Sequence, residues 1–269
     1  MLLEFTKMNG AGNDFVLIDG RGQIPALSHN QIVRLCDRHR GIGADGLIIL
    51  RPCASGKADW AWEFYNRDGS AGEMCGNGAR CFARFVQKRI GAQGEVIFET
   101  KAGIITAHFH GERVTVNLTD PKDLQLNQEV TLAASVQPIH SLDTGVPHAV
   151  LFVPEADKAA VQQLGAEIRH HPDFKPRGTN VNFVQVLEAG RIRVRTFERG
   201  VEDETLACGT GVTAAALVTA RVHQFGSPVK VRVQGGDDLE VSFHENGVGF
   251  KDVRLTGPAD FVFEGRIAL

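Results

Sequence analysis

Long apolar runs are missing from this 269-residue chain. No stretch approaches the ~20 consecutive apolar residues that a membrane-spanning helix needs, so no membrane partner is expected. An excess of one charge is missing too. The 29 Lys and Arg stand against 32 Asp and Glu, a formal net charge of −3. That leaves no basic footprint for nucleic acid. A local site can differ from the whole, so an acidic substrate stays compatible. The opening MLLEFTKMNG lacks the basic region, apolar core and small-residue cleavage site of a signal peptide. A cytoplasmic location is expected. Cysteine is sparse and unpaired in pattern: Cys36, Cys53, Cys75, Cys81 and Cys208 form no C-x-x-C. This argues against a disulfide framework or a structural zinc site, and thiols in a reducing compartment are expected, with no metal.

What the chain does have is strand signal. Phe15–Asp19 (FVLID) and Gly46–Leu50 (GLIIL) are short apolar runs. In Trp60–Phe64 (WAWEF), Trp60, Trp62 and Phe64 share a face. Residues 104–118 and 182–197 read as hairpins, and 229–255 as a meander. Helical patterns are fewer: 29–39, 156–170, and two more that follow glycine-rich turns, at 79–90 and 212–225. The class expected is α+β, with sheets rich in hairpins. The polar segment Thr119–Gln128 reads as an inter-domain linker.

An internal duplication organises these signals. Cys75-Gly76-Asn77-Gly78 recurs 133 positions later as Cys208-Gly209-Thr210-Gly211. The same offset pairs Phe64-Tyr65-Asn66 with Phe197-Glu198-Arg199. An offset of 135 pairs Gly43-Ala44-Asp45 with Gly178-Thr179-Asn180, and Gly10–Asn13 with Gly145–His148. Each match is short, but their common order and spacing point to two halves of one fold. The expected domains are 1–118, with a tail at 257–269 returning to it, and 119–256. Sites often lie between domains. Each half would then bring one Cys-Gly-x-Gly turn to a shared cleft.

The chemistry of such a turn follows from the helix behind it. A helix N-terminus carries unpaired N–H groups and about half a positive charge. Glycine lets a carboxylate approach those groups. A cysteine there is also stabilised as thiolate. Two such turns facing one carboxylate would put its neighbouring carbon between two thiols. One thiolate would remove the Cα proton from one face, and the opposite thiol would return a proton to the other. That is racemisation or epimerisation without a cofactor, the amides stabilising charge that builds on the carboxylate. For either cysteine alone, a buried structural thiol is the commoner case; the repeat tips the balance for Cys75 and Cys208. Cys36, Cys53 and Cys81 lack the turn and are expected to be structural. The Val212–Phe225 helix is apolar nearly all round, so it is expected to run through a sheet-walled core.

At these residues the chain resembles the diaminopimelate epimerase family. The resemblance runs through KMNGAGNDFVLID, GIGADGL, YNRDGSAGEMCGNGARC, GTNVNFVQV and FERG…ACGTG, nearly the whole length. It implies two pseudo-symmetric duplicated domains, each a barrel-like mixed sheet around a central helix, closing over a small-molecule substrate. It implies interconversion of LL- and meso-diaminopimelate, which serves lysine and peptidoglycan synthesis, without cofactor, in a homodimer. By motif, Cys75 and Cys208 are the acid/base pair, Cys75 commonly acting as base towards the LL-isomer. Gly76, Asn77, Gly209 and Thr210 would hold the reacting end. Asn13, Asn66, Asn180, Glu198 and Arg199 would bind the ligand's polar groups, Arg199 gripping a distal carboxylate. His148 and Glu198 would tune the cysteines. Many members carry Asn two residues before this histidine where the chain has Val146, so a backbone group would substitute. His170 and His171 are expected at the surface and not as metal ligands. Two rivals remain: a racemase of histidine or proline type on the same fold, and a thiol redox or metal-binding protein.

Overall fold

The computed structural model describes residues 2–22, 24 and 26–269. The chain divides into two compact units: Met1–Val116 with Gly257–Leu269, and Asn117–Thr256. The first holds β1 (Leu2–Gly10), β2 (Asn13–Asp19), α1 (His29–Cys36), β3 (Gly46–Pro52), β4 (Trp60–Asn66), α2 (Gly76–Ile90), β5 (Glu95–Thr100), β6 (Gly103–His110) and β7 (Arg113–Asn117). The second holds β8 (Lys122–Thr131), β9 (Val136–Asp143), β10 (Pro147–Phe152), α3 (Val161–Arg169), β11 (Asn180–Glu188), β12 (Arg191–Glu198), β13 (Asp203–Thr205), α4 (Gly209–His223), β14 (Val229–Arg232), β15 (Asp238–Glu245) and β16 (Phe250–Pro258). The tail forms β17 (Asp260–Ala268), antiparallel to β1 in the first unit.

The two units repeat one pairing scheme. In the first, β17, β1, β2, β3, β4, β5, β6 and β7 lie side by side, with β2/β3 and β4/β5 parallel and the rest antiparallel. In the second, β8, β9, β10, β11, β12, β14, β15 and β16 follow the same order, with β10/β11 and β12/β14 parallel. Parallel neighbours need crossovers. α1 and α3 make the outer ones, and α2 and α4 the inner ones. α2 touches β1, β2, β3, β5 and β6; α4 touches β9, β10, β11, β12, β14 and β15. Each sheet therefore curls around its own helix, which makes the class α+β with a duplicated, barrel-like mixed sheet. The first turns of such a helix have no solvent face to keep polar. In α4, Gly211 to Ala220 are all buried. In α2, Phe82 and Phe85 fill the same role with aromatic bulk, Phe82 lying 4.7 Å from Phe98 of β5.

Several elements depart from the sequence reading. The expected linker is mostly strand: β8 pairs antiparallel with β9. It is an exposed strand with two positive-φ residues, Asp123 and Asn127, so it carries no apolar alternation to read. α1 stops at Cys36 and not His39, because the Asp37 carboxylate accepts from the backbone N–H groups of His39 and Arg40 and turns the chain. The helix expected from 156 to 170 is broken. Arg195 Nη1 donates to the carbonyls of Ala156, Asp157 and Ala159, acceptors that a continuous helix would use itself, and leaves a 3₁₀ turn at Ala156–Lys158 before α3. α4 ends at His223, with Gln224 in the left-handed conformation, ahead of Gly226. The largest change is at the other end of the inner helices. Both begin at the first glycine of the Cys-Gly-x-Gly motif, so the motif is the first helical turn and the cysteine its N-cap.

Candidate active site

In the first unit the candidate residues gather at the start of α2. Cys75 is the N-cap; its Sγ accepts from Gly78 N at 3.5 Å and donates to Asn13 Oδ1 at 3.5 Å. Asn13, the first residue of β2, donates through Nδ2 to Asp45 Oδ2 at 2.8 Å. Asp45 is one member of a network. Arg38 donates twice to Asp14 and once to Asp45 Oδ1, and the buried Lys7 pairs with Asp14 at 2.8 Å and donates to Gly43 O. The two cations hold the Asp14 carboxyl down at about 2 against the opposing cost of its burial. Gly76 and Asn77 are buried in the same turn. Their oxygens accept from Arg80, whose Nε also donates to Pro258 O. Arg80 is fully buried. Asn66, at the end of β4, is exposed and donates to Ser70 Oγ. Beneath the turn, Gly78 packs on Ile48 and Phe15, and Phe15 meets Phe64 edge-on.

In the second unit, Cys208 is buried as the N-cap of α4, its Sγ 3.5 Å from Thr210 Oγ1. The carbonyl of Thr210 accepts from Thr144 Oγ1. Below Gly211 the floor is polar. Asn182 Nδ2 donates to His148 Nδ1 at 3.1 Å and to Ala149 O at 3.0 Å, while its Oδ1 accepts from Thr196 Oγ1 at 3.0 Å. That pattern assigns the His148 proton to Nε2, a buried atom with no hydrogen-bond partner among the described residues. Burial depresses the imidazole to about 3, helped by Arg199 and opposed by Asp143, so His148 is neutral at physiological pH.

The remaining candidates cluster at the β11 and β12 ends. The Asn180 side chain ties the corner together: Nδ2 donates to Pro147 O and Oδ1 accepts from Arg199 N. Both contacts are to backbone. Glu198 Oε2 accepts from Thr205 Oγ1 at 3.0 Å. Arg199 Nη1 donates to Arg177 O. Arg169 pairs with Glu202 and Arg177 with Asp143, whereas Arg199 has no carboxylate partner among the described residues. Burial, then Arg169 and Arg177, push its pKa down, so an incoming carboxylate would relieve local repulsion. Cys36 and Cys81 are buried and pushed up to about 12, which leaves them as inert thiols. Cys53 is bonded to Ser55 and Glu99. His170 is exposed and His171 is half-buried, its Nε2 3.1 Å from Thr131 O.

Strand register shifts three of the sequence pairings by one residue or more: Asn180 corresponds to Gly46 and not to Asp45, and Phe197 to Tyr65 and not to Phe64. His148 stands opposite Asn180 as Phe15 stands opposite Gly46, so His148 corresponds to Phe15 and not to Asn13. Likewise Asn182 opposite Thr196 corresponds to Ile48 opposite Phe64. The sequence reading missed Asn182, Thr196, Thr144 and the Lys7–Asp14–Arg38–Asp45 network. One signal was available: in T-N-V-N-F two asparagines interrupt a strand on one face.

The comparisons agree with this architecture. The family model described as diaminopimelate epimerase matches residues 5–123 and 140–262. The diaminopimelate epimerase of Aquifex aeolicus (strain VF5) is 44% identical over 279 residues, covering 99% of this chain and 98% of that one. That of Chlorobaculum tepidum is 42% identical, covering 97% and 100%. Among solved structures, a Bacillus anthracis phenazine biosynthesis protein of the PhzF family superimposes with TM-score 0.76 at 16% identity, covering 100% of both chains. A hydroxyproline epimerase from Agrobacterium vitis gives 0.74 at 19%, covering 100% of this chain and 91% of that one. These two share the fold alone. With two duplicated units, one cysteine-capped inner helix in each, and full-length relatives above 40% identity, the chain belongs to the diaminopimelate epimerase family.

Proposed function

We propose that this chain is an isomerase that interconverts LL- and meso-diaminopimelate without a cofactor, using Cys75 and Cys208 as a two-base pair. The observation that carries the reading is the duplicated cap: each unit places one cysteine at the N-terminus of a 15-residue inner helix. From LL-substrate, the Cys75 thiolate takes the Cα proton and becomes a thiol. The Cys208 thiol gives its proton to the opposite face and becomes a thiolate. The net result is inversion at one carbon, with the two cysteines exchanging protonation states. The weak acidity of that Cα–H is the main barrier. The amides of Gly76, Asn77, Gly209 and Thr210 lower it by stabilising charge that develops on the adjacent carboxylate.

Recognition of the distal end falls to Arg199, supported by its lack of a carboxylate partner among the described residues. Glu198 suits an ammonium group. Asn13 and Asn66 add polar contacts, and Asn180 acts by holding the Arg199 backbone. His148 and Glu198 adjust the acidity of the cysteines. No helix among the described residues is long and apolar enough to cross a membrane. We place the protein in the cytoplasm as a homodimer, for which the exposed Val262 and Phe263 of β17 offer an apolar surface.

Incubation with LL-diaminopimelate in D2O, followed by NMR, tests the reading. Deuterium at Cα and meso product are expected. A protein that leaves the substrate unexchanged, or that turns over proline or histidine while ignoring diaminopimelate, overturns it.

A further inference from the structure

The Cys75 thiol lies against an amide that could present either of two opposite ends. Asparagine Oδ1 accepts a hydrogen bond and so favours S–H; Nδ2 donates one and so favours the thiolate. In the structure Oδ1 faces the sulfur, at 3.5 Å, and Nδ2 faces Asp45 Oδ2, at 2.8 Å. A carboxylate has no proton to offer, so it selects the NH2 end of Asn13 and turns the oxygen towards the thiol. Asp45 is itself fixed. Its Oδ1 accepts from Arg38 at 2.9 Å, and its backbone N–H donates to Asp14 Oδ1 at 3.0 Å. Asp14 is in turn gripped by Arg38 and by Lys7, a lysine only 5% exposed. Retaining a buried lysine here needs a reason, because burying a charge is costly unless it is paired.

We propose that Asp45 is a positioning residue for Cys75: its carboxylate locks the Asn13 amide with the acceptor end towards the thiol, and Lys7, Asp14 and Arg38 lock Asp45. The lock gives the first cysteine a fixed hydrogen-bond acceptor. The helix N–H of Gly78 supplies the opposing donor, so the sulfur sits between a group that favours each state. That balance suits a residue that alternates between thiol and thiolate in every turnover. At the register positions of Asn13 and Asp45 the second unit carries Val146 and Thr179. The charged and titratable groups around Cys75 in its own unit include Lys7, Asp14, Arg38, Asp45, the buried Arg80 and Cys81, Asp260 of β17, and the exposed Glu73 two residues before it. The inference rests on the reading of Cys75 as an acid/base group.

The test is the pH dependence of Cys75 alkylation by iodoacetamide in the intact protein, quantified by mass spectrometry of the Cys75 peptide. Asp45→Asn keeps the shape but lets the Asn13 amide turn its NH2 end to the sulfur. The midpoint of Cys75 alkylation is expected to fall by about one pH unit, because a donor to the thiolate replaces an acceptor from the thiol. The corresponding limb of kcat/KM against pH should move with it. Arg38→Gln, at a half-exposed side chain, loosens Asp45 from outside and should shift the midpoint in the same direction by less. It also serves if Asp45→Asn fails to fold. An unchanged or raised midpoint in the folded variants overturns the proposal. Alkylation needs no substrate, so it reads Asp45 even if the wild type fails to exchange deuterium, which would refute the epimerase reading instead.

Discussion

The first turns of α2 and α4 share length, motif and cysteine cap, yet they rest on opposite floors. Under α2 lie Phe15, Ile48 and Phe64; at the corresponding strand positions under α4 lie His148, Asn182 and Thr196. The first unit keeps its floor apolar and puts its polarity beside the cysteine, in the Asp45–Asn13 pair. The second puts a hydrogen-bond network beneath the helix and leaves the loop before β10 with Val146. A two-base reaction on one carbon asks for this kind of inequality. The two thiols must be matched closely enough to exchange roles, and yet differ in protonation at any moment. Equal backbones supply the match, and unequal side chains supply the means of biasing it.

The sharpest break of the comparison is removal of either cap. Cys75→Ala and Cys208→Ala should each lower kcat/KM for epimerisation by about 10³-fold, within the range for loss of a general acid/base. The two losses should be of similar size, because each direction uses both residues. Steady-state assays with LL- and meso-substrate measure this. One variant keeping a tenth of wild-type activity would reduce the pair to a single catalytic cysteine.

The floors themselves predict an unequal response to one added methyl. At Gly78 a new Cβ would lie 3.2 Å from Ile48 Cδ1, the end of an apolar side chain and no hydrogen-bonding atom. At Gly211 it would fall on Asn182 Oδ1, well inside contact distance, and break the Thr196–Asn182–His148 network. Gly211→Ala should cost about 3 kcal/mol of stability, combining overpacking with unsatisfied buried polar groups. Gly78→Ala should cost about 1 kcal/mol or less. Urea unfolding of the two variants decides, and equal costs would show that the floors do not control the turns.

The duplication was legible in the sequence because turn glycines and caps are local and constrained: Cys-Gly-x-Gly survives at one spacing while its surroundings change. The register was not. Offsets of 133 and 135 look equally good in short blocks, and only strand pairing shows that His148 stands where Phe15 does. β8 was missed because an exposed strand needs no apolar alternation. The burial of Arg80 was not legible either: arginine on a helix usually faces solvent, whereas here three oxygens converge on it in the core. The Asp45–Asn13 contact joins residues 32 apart that share no motif, and such pairs exist only after folding.

A pH change should separate the floors next. The folded-state pKa of His148, about 3, lies below the ordinary value of 6.5. Stability from its neutral form is therefore complete above pH 6.5 and is lost as the pH falls from there towards 3, because the unfolded chain takes up the proton first. Between pH 6.5 and 5 the loss is up to about 2 kcal/mol. The double variant His148→Phe/Asn182→Ile, which copies Phe15 and Ile48, should lose less over the same interval. Urea titrations at both pH values give the comparison, and parallel losses would dismiss the histidine as the cause.

The mildest change concerns what fills the two helices. At the positions of α2 occupied by Cys81 and Phe82, α4 has Ala214 and Ala215. Cys81 is wholly buried, lies close to Gly10 of β1, and is pushed up to about 12, so its thiol offers packing and no chemistry. Cys81→Ala copies the second unit at that place. It removes one sulfur atom's contacts and leaves a void smaller than a deleted isopropyl group would. The expected cost is about 1 kcal/mol of stability, at the low end for large-to-small core changes, with kcat/KM and its pH profile unchanged. A thermal melt and a pH–rate profile on one preparation test both halves of that expectation. A shifted profile would mean that Cys81, six residues into the same helix, communicates with Cys75, and that the inner helix carries more of the site than its first turn.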